Sequence, residues 1–426
     1  MKILVYGINY APELTGIGKY TAEMATTLAA DGYDVRVVCA PPYYPQWRIG
    51  PGYSARRYRR EHQDGVEVWR APLWVPRRPR GIRRIFHLAS FAVTSLPVLL
   101  MQVFWRPDVV MCIAPSLLNA PTGWLTARLC GAHAWLHIQD YEVDAAFQLG
   151  VLSGSRLKRA ALRVERVVLR RFDTVSTISK KMLERAADKG VDAARLVHFP
   201  NWADIAAIRP LGRHSTLREA FDISADAIVV LYSGNMGVKQ GLEVLTAAAM
   251  ELVNRRDIVF VFCGNGLMRD AIHSICGPMT NCRFSDLRPA DELNELMNLA
   301  DIHVLPQRND AADLVMPSKL TGMFASERPV IAMASPGTEL YEVVEPRGVV
   351  VAPGHAQALA EAIALLADDA PARARLGRAG RAFAQAALSR DAVLREFEAR
   401  LCGRGEARAA HALPPAATKE EADISM

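Results

Sequence analysis

The sequence contains no Cys-x-x-Cys pair, although it has seven cysteines among its 426 residues. Neither a zinc site nor a disulfide framework is therefore indicated. Cys39, Cys112 and Cys263 fall within or at the end of apolar runs, where a small thiol packs well. Because Met1 leads directly into a strand pattern, we expect no signal peptide and a reducing, cytoplasmic setting.

A dinucleotide fingerprint is also missing. No Gly-x-Gly-x-x-Gly motif directly follows the first apolar run, Lys2–Gly7, and no acidic residue lies at the usual offset. A dinucleotide oxidoreductase is therefore the weakest interpretation. The sequence also lacks an Asp-x-Asp metal motif, and we expect neither a metal nor another cofactor.

Positive charge is concentrated in a short part of the chain. The net charge of +6 is modest, yet residues 56–84 carry ten arginines against three acidic residues. The remainder is nearly neutral, so we expect no nucleic-acid partner. Residues 155–172 form a second basic stretch, which suits a lipid or phosphate surface, although a solvated helix face is the commoner explanation.

Residues 85–105 carry no charge when His87 is neutral, and they are long enough to nearly span a bilayer. Pro97 and several polar residues weigh against a spanning helix. We favour a helix with one face on the core and the other in a membrane surface, and a wholly buried helix is the alternative. The arginines expected to meet anionic lipid are Arg77, Arg78, Arg80, Arg83 and Arg84.

Strand patterns alternate with helical patterns in both halves, which predicts an α/β protein with two Rossmann-like domains facing each other across a cleft. We place an N-terminal domain at residues 1–203 and a C-terminal domain at 204–386. A helix at 387–403 is expected to return to the first domain, and a tail at 404–426 to be disordered. Clefts between domains are the default binding sites.

The stretch Ile228–Gly241 is the strongest site signal. An apolar strand is followed by a loop of small residues and then by a helical pattern, an arrangement that favours phosphate. Lys239 adds a mobile positive charge, while the alternative is an ordinary turn with a surface lysine. The loop residues concerned are Gly234, Asn235 and Gly237.

Three further loops at strand ends carry candidate site residues. Their alternatives are ordinary loop flexibility and helix capping by a carboxylate. The candidates are Gly16 and Gly18, then His137, Asp140 and Asp144, and finally Gly264, Asn265 and Gly266.

Several segments in this order carry a family resemblance. They are KILVYGINYAPELTGIGKYTAEMATTLAADGYDVRVV, LYSGNMGVKQGLE, CGNG, ADIHVLPQ and DLVMPSKLTGMFASERPVIA. Together they resemble the retaining glycosyltransferases of family 4, which have the GT-B fold. Within that family the chain is most similar to transferases of colanic-acid-type exopolysaccharide clusters, including the member described as a fucosyltransferase.

The resemblance implies roles for individual residues. Lys239 and the Asn235–Gly237 backbone are expected to face the donor diphosphate, Gly16–Gly18 to lie beside donor and acceptor, and the CGNG turn to hold the base. Asn235 stands where the family commonly has an arginine. Gly322 stands at the second position of the family's paired-glutamate motif, and Asp313 or Leu314 near the first. Ser318 and Lys319 are the polar groups left at this segment.

The implied activity is transfer of a sugar, with GDP-fucose favoured and a UDP-N-acetylhexosamine next, to a lipid-linked oligosaccharide in exopolysaccharide or O-antigen synthesis. We expect a peripheral enzyme on the inner face of the cytoplasmic membrane, with Lys239, Asp140 and Asp313 as catalytic candidates. No pair of carboxylates suited to double displacement stands out, so front-face substitution with retention is the family interpretation. A nucleotide-sugar epimerase of the same fold and a non-catalytic nucleotide-sugar-binding subunit remain as alternatives.

Overall fold

The structure, a computed structural model, describes residues 1–13, 16–77, 81–115, 117–141, 155–308 and 317–412. The strands are β1 Lys2–Tyr6, β2 Asp34–Cys39, β3 Arg59–Gln63, β4 Val66–Arg70, β5 Val109–Ala114, β6 His133–Ile138, β7 Thr174–Thr177, β8 Leu196–His198, β9 Ile228–Ser233, β10 Ile258–Cys263, β11 Cys282–Ser285, β12 Ile302–Leu305, β13 Val330–Met333 and β14 Val349–Val351. The helices are α1 Ile17–Ala30, α2 Ile82–Thr94, α3 Leu96–Trp105, α4 Ala120–Cys130, α5 Ser155–Leu169, α6 Lys180–Asp188, α7 Leu217–Ala220, α8 Leu242–Glu251, α9 Arg269–Cys276, α10 Leu293–Leu299, α11 Lys319–Ala325, α12 Glu339–Val344, α13 Ala356–Asp368, α14 Ala370–Ala387 and α15 Arg390–Ala412.

The N-terminal domain is built on one sheet with strand order β3-β4-β2-β1-β5-β6-β7-β8. Neighbouring strands are parallel except for the antiparallel pair β3 and β4. Helices cover both faces, which explains why the central strands are continuous apolar runs. Helices α2 to α6 pack on one face and α1 and α15 on the other.

The C-terminal domain has an all-parallel sheet with strand order β11-β10-β9-β12-β13-β14. The chain leaves β9 towards β10 on one side, and later enters β12 on the other side. Ligands of open α/β sheets bind at such a switch of direction, outside the carboxyl ends of the strands. The loop after β9 therefore lies at the expected binding position. The prediction of two Rossmann-like domains is confirmed.

Sequence patterns alone predict Val66–Arg70 as an edge strand, and this is wrong. The charged strand β3 covers it through a tight turn at Asp64 and Gly65, whose φ angles of 49° and 80° are both positive. Arg70, buried in the hairpin, donates to Glu61 on β3 at 2.5 Å.

The chain crosses between the domains twice, and the two crossings lie side by side. The Ala203 amide donates to the Leu388 carbonyl at 2.8 Å, and the Arg390 amide donates back to Ala203 at 3.0 Å. Helix α15 then packs on the N-terminal domain, where Phe397 stacks on Phe199. This helix is described to residue 412. Residues 413–426 lie outside the described residues.

Segment 82–105 is two helices rather than one, with Ser95 between them. By length and composition it is the one segment of the described chain capable of crossing a membrane, and 39% of its most apolar window is buried. Its inner face is tied to the domain by polar side chains with no exposed surface, since Ser95 hydrogen-bonds to Tyr6 at 2.7 Å and Gln102 to Arg36 at 3.0 Å. A helix crossing a bilayer alone would lose these bonds.

Candidate functional site

The loop after β9 is joined to the loop after β10 by backbone hydrogen bonds. The Gly234 amide donates to the Cys263 carbonyl at 2.8 Å, and the Met236 amide donates to the Asn265 carbonyl at 2.9 Å. The two glycine-containing motifs therefore form one continuous surface at the switch point of the sheet.

This close approach requires glycine. At Gly264, whose φ is 150°, a Cβ would lie 1.9 Å from the Gly234 carbonyl oxygen, which is far inside van der Waals contact. A Cβ at Gly266 would lie 2.5 Å from the Met236 carbonyl oxygen and 2.7 Å from Oδ1 of Asn235. The side chain of Asn235 thus fills the space between the two loops.

Two amides expected to face a phosphate are bonded within the protein in this structure. The Met236 amide binds the neighbouring loop, as described above, and the Gly237 amide donates to Oε1 of Gln240 at 3.1 Å. A diphosphate here would therefore depend on side-chain cations more than the sequence pattern indicates.

Lys239 lies on a short 3-10 turn, Val238–Gln240, between this loop and α8. The position of its side chain lies outside the described part of the structure. Gly241 follows with a φ of 61° and begins α8. A second cation lies at this turn, because Arg308 packs against Gly241 and forms an ion pair with Glu243 at 3.7 Å.

Ser318 and Lys319 lie at the start of α11, beside the same loop. Nζ of Lys319 donates to the Tyr232 hydroxyl at 2.6 Å, and that hydroxyl donates to the Asn235 carbonyl at 2.5 Å. Burial among protein atoms lowers the pKa of Lys319 to about 7. The side chain nevertheless keeps some accessible surface, so the amine is deep in the molecule without being sealed off.

Among the described residues, the two positions of the paired-glutamate motif do not supply a carboxylate side chain that could bind the ribose of the donor. A Cβ at Gly322 would lie 3.6 Å from Ile208 and 3.7 Å from Met297, so this position points at apolar side chains. Asp313 and Leu314 lie outside the described residues.

The N-terminal side of the site centres on Glu13, which the sequence analysis missed. Its carboxylate accepts from the Tyr43 and Tyr44 amides at 2.9 and 3.0 Å and from Nδ2 of Asn9 at 2.8 Å. Burial raises its pKa, although these bonds act in the opposite direction. A Cβ at Gly18 would lie 2.9 Å from Oε2 of Glu13, so the glycine makes room for this carboxylate. An acidic residue within the glycine-containing first loop was the available sequence signal.

The remaining N-terminal candidates separate into core and edge. Gly16 caps the start of α1 with a φ of 63°. His137 is buried, with Nδ1 2.9 Å from Oγ of Ser176 and the pKa of its imidazole lowered by burial to about 3, so it is a core residue. Asp140 follows β6 and is close enough to Tyr44 to contribute to the raised pKa of that phenol. Asp144 lies outside the described residues.

Side chains of the two domains meet across this site. The Tyr20 hydroxyl on α1 lies close to Thr321 of α11 and to Ser318 just before it, because both side chains act to lower the pKa of this phenol. Tyr44 contributes to the raised pKa of Tyr232, which places these two phenols near each other across the cleft. Both glycine loops of the C-terminal domain therefore lie opposite the Glu13 region.

The five arginines proposed for lipid do not behave alike. Arg77 and Arg83 are exposed. Arg84 is half-buried, and its charge lowers the pKa of Tyr44, so it is directed towards the cleft. Arg78 and Arg80 lie outside the described residues. Across the residues that are described, no group of three or more His, Cys, Asp or Glu side chains is placed to hold a metal ion.

Comparison with known proteins matches both halves of this architecture. Residues 15–202 match the glycosyl transferase 4-like domain, and residues 214–383 match the glycosyl transferases group 1 family. The chain belongs to this family of glycosyltransferases and is an enzyme of that class.

Individual relatives support the same assignment. The chain is 42% identical to WcaI of Escherichia coli (strain K12), named as a colanic acid biosynthesis glycosyl transferase, over 93% of this chain and 98% of that protein. Its fold is similar to sucrose-phosphate synthase from Thermosynechococcus elongatus, with a TM-score of 0.76, 17% identity and coverage of 95% and 99%. It is also similar to Anabaena HepE in complex with UDP-glucose, with a TM-score of 0.70, 16% identity and coverage of 95% and 100%.

Proposed function

We propose that the chain transfers a sugar from a nucleotide-sugar donor to a lipid-linked saccharide, with retention, during exopolysaccharide or O-antigen synthesis. The observation that carries this proposal is the surface formed by the two bonded glycine loops at the switch point, opposite Glu13 and Tyr44. The resemblance of the sequence motifs to colanic-acid-type transferases supports GDP-fucose as the first choice of donor, with a UDP-N-acetylhexosamine next.

The chemistry follows from charge placement. The bond from the anomeric carbon to the donor phosphate breaks, the acceptor oxygen forms the new bond on the same face, and its proton passes to the leaving phosphate. Lys239 would stabilise the negative charge that grows on the diphosphate in the transition state. Electrostatic stabilisation of this kind is usually the largest single contribution to catalysis. Asp140, at the N-terminal edge of the cleft near Tyr44, would orient the acceptor hydroxyl.

A protein surface suited to membrane contact is the observation that supports a lipid-linked acceptor. The outer faces of α2, α3 and α4 expose large apolar side chains, which soluble surfaces rarely group together. They are Ile82, Ile85, Phe86, Val93, Leu96, Leu100, Met101, Phe104, Leu125 and Leu129. We call this set the apolar face.

Basic residues border the apolar face. Helix α5 packs on the same side of the sheet and exposes Arg159, Arg163 and Arg166, so anionic lipid would meet positive charge there. Arg84, near the start of α2, is close to Tyr44, so one end of the apolar face adjoins the cleft. An acceptor whose lipid is anchored in the bilayer could thus reach the site while the lipid stays in the bilayer. We therefore place the enzyme on the inner face of the cytoplasmic membrane.

A two-stage assay tests the catalytic proposal. Nucleotide sugars are first screened by thermal shift, because a ligand that binds the folded state raises the melting temperature. The donors that bind are then incubated with and without lipid-linked saccharides. Consumption only with an acceptor supports transfer, consumption without acceptor indicates the epimerase, and binding with no turnover indicates a non-catalytic subunit.

A further inference from the structure

Lys319 reaches from α11 to the first turn of the donor loop. Its Nζ lies 4.1 Å from the centroid of the Tyr232 ring as well as 2.6 Å from the hydroxyl. A Cβ built on Gly234 would lie 2.7 Å from Cε and 3.1 Å from Nζ of Lys319. The amine is therefore already in contact with the peptide at which the loop begins.

No carboxylate neutralises this amine within the described parts of the chain. Lys189, which is buried, is by contrast held in an ion pair by Glu165. Lys319 instead donates to a neutral phenol, and burial lowers its pKa without an opposing charge. A buried cation without an anionic partner is costly, and a bound anion would relieve that cost.

Lys239 is the only basic residue in the loop and turn at 233–240. The side-chain amide of Asn235 is neutral and lies between Gly237 and Gly266, where it fills the gap between the loops. A second positive charge for a diphosphate would therefore come from outside the loop.

We propose that Lys319 is the second cation of the donor diphosphate site. When the nucleotide binds, the Lys319 amine moves away from the Tyr232 hydroxyl and pairs with phosphate oxygens. This inference rests on the proposed function. The phenol holds the amine near the loop when no donor is present, and Gly234 leaves room for it to move. The second positive charge is thus supplied from α11.

Donor binding should then be accompanied by proton uptake. An amine with a pKa near 7 is about three-quarters neutral at pH 7.5, and pairing with phosphate favours the ammonium form. The titratable groups around it are the phenols Tyr232, Tyr44 and Tyr20, whose pKa values are all raised by burial and which stay protonated at this pH. Lys239 on the neighbouring turn and Arg308, which is paired with Glu243, are the other cations near the loop.

Calorimetric titration of the full-length protein with GDP and with UDP tests the inference. Titrations at pH 7.5 in buffers of different ionisation enthalpy report both affinity and protons bound. Lys319→Met should lower the affinity for whichever nucleotide wild type binds by roughly 10- to 100-fold, as expected for a lost charge-assisted hydrogen bond. It should also abolish the uptake of about three-quarters of a proton that accompanies binding to wild type. Lys319→Arg should keep the affinity but not the uptake, because a guanidinium is always charged.

Arg255→Met is the matched control, since Arg255 is a cation of the same domain that pairs with Asp257 and lies before β10, at the end opposite the glycine loop. We expect its affinity to stay within about threefold of wild type. Wild type alone provides a reading that needs no variant, because its affinity should fall about eightfold between pH 7.5 and 8.5 as the free amine loses its proton.

The outcomes separate the inference from the proposed function. Equal affinity, or equal proton uptake, in wild type and Lys319→Met overturns the inference while the transferase proposal stands. The same holds if wild-type affinity does not change over that pH range. Wild type that binds neither GDP nor UDP overturns the proposed function together with the inference.

Discussion

The apolar face gives the most direct test of membrane attachment. Val93, Leu100 and Phe104 are 65%, 56% and 88% exposed and lie on the outer side of α2 and α3. Replacing all three by serine removes apolar surface without opening a cavity, because these side chains contribute little to the core. Melting temperature should therefore stay close to that of wild type.

The expected loss of binding follows from the surface removed from water. A fully buried side chain of this size contributes about 1.5–3 kcal/mol, and partial insertion about 1–2 kcal/mol. Three such changes amount to about 3–6 kcal/mol, or roughly 10²- to 10⁴-fold in partitioning. An arginine near anionic lipid contributes about 1 kcal/mol, so replacing Arg77, Arg78, Arg80, Arg83 and Arg84 by serine should also release the protein, with the largest difference from wild type at low salt.

Sedimentation with vesicles of anionic and neutral phospholipid measures this partitioning. The matched control is the triple serine variant of Leu267, Ile275 and Leu365, which are 65%, 50% and 71% exposed on the C-terminal domain. Wild type and this control should pellet alike, and the apolar-face variant should remain in solution. If the apolar-face variant pellets as wild type does, or the control is lost equally, these helices do not hold the protein on a membrane.

Three further outcomes concern the site and the core. Lys239→Ala should lower turnover by about 10²- to 10³-fold in the transferase assay with an unchanged melting temperature, and wild-type rates would remove Lys239 from the mechanism. Gly264→Ala should abolish nucleotide binding in thermal shift because its Cβ has no room, whereas Gly337→Ala, at a φ of 83° with nothing within 4 Å, should not. Burial holds the pKa values of His137 and His303 at about 3, so the unfolded chain binds protons first and stability falls below about pH 6.5. Between pH 7.5 and pH 5, the free energy of unfolding in urea should fall by about 2 kcal/mol less for His303→Gln than for wild type. An equal fall in both proteins would contradict this.

The sequence predicts the two-domain fold well because both sheets are parallel and buried on both faces. The run Ile258–Cys263 is apolar throughout and Ile228–Ser233 is apolar except for its last residue, and each ends at a glycine loop. The polar strand Arg59–Gln63 could not be found from hydrophobicity. The Asp64-Gly65 pair before an alternating strand was a signal for its hairpin.

The site was only partly predictable, since sequence order does not show which loops touch. The glycine motifs were located, but their mutual hydrogen bonds and the use of the Met236 amide depend on three-dimensional register. Glu13 lies in a loop that the sequence analysis treated only for its glycines. Tyr44 and Tyr232 are far apart in the chain and meet because the domains face each other.

The contacts across the cleft connect domain position to the charge at the donor site. Lys319 begins α11, and the adjacent Ser318 lies close to the Tyr20 hydroxyl of the N-terminal domain. Glu339 makes a second contact, because its carboxylate accepts from the Lys180 and Lys181 amides at 2.9 and 2.8 Å, at the start of α6. The amine that we assign to the diphosphate thus lies on an element held by both domains. Opening the cleft would break the Tyr20 contact beside it, so the geometry of the charged site depends on the closed arrangement in which an acceptor would also be positioned.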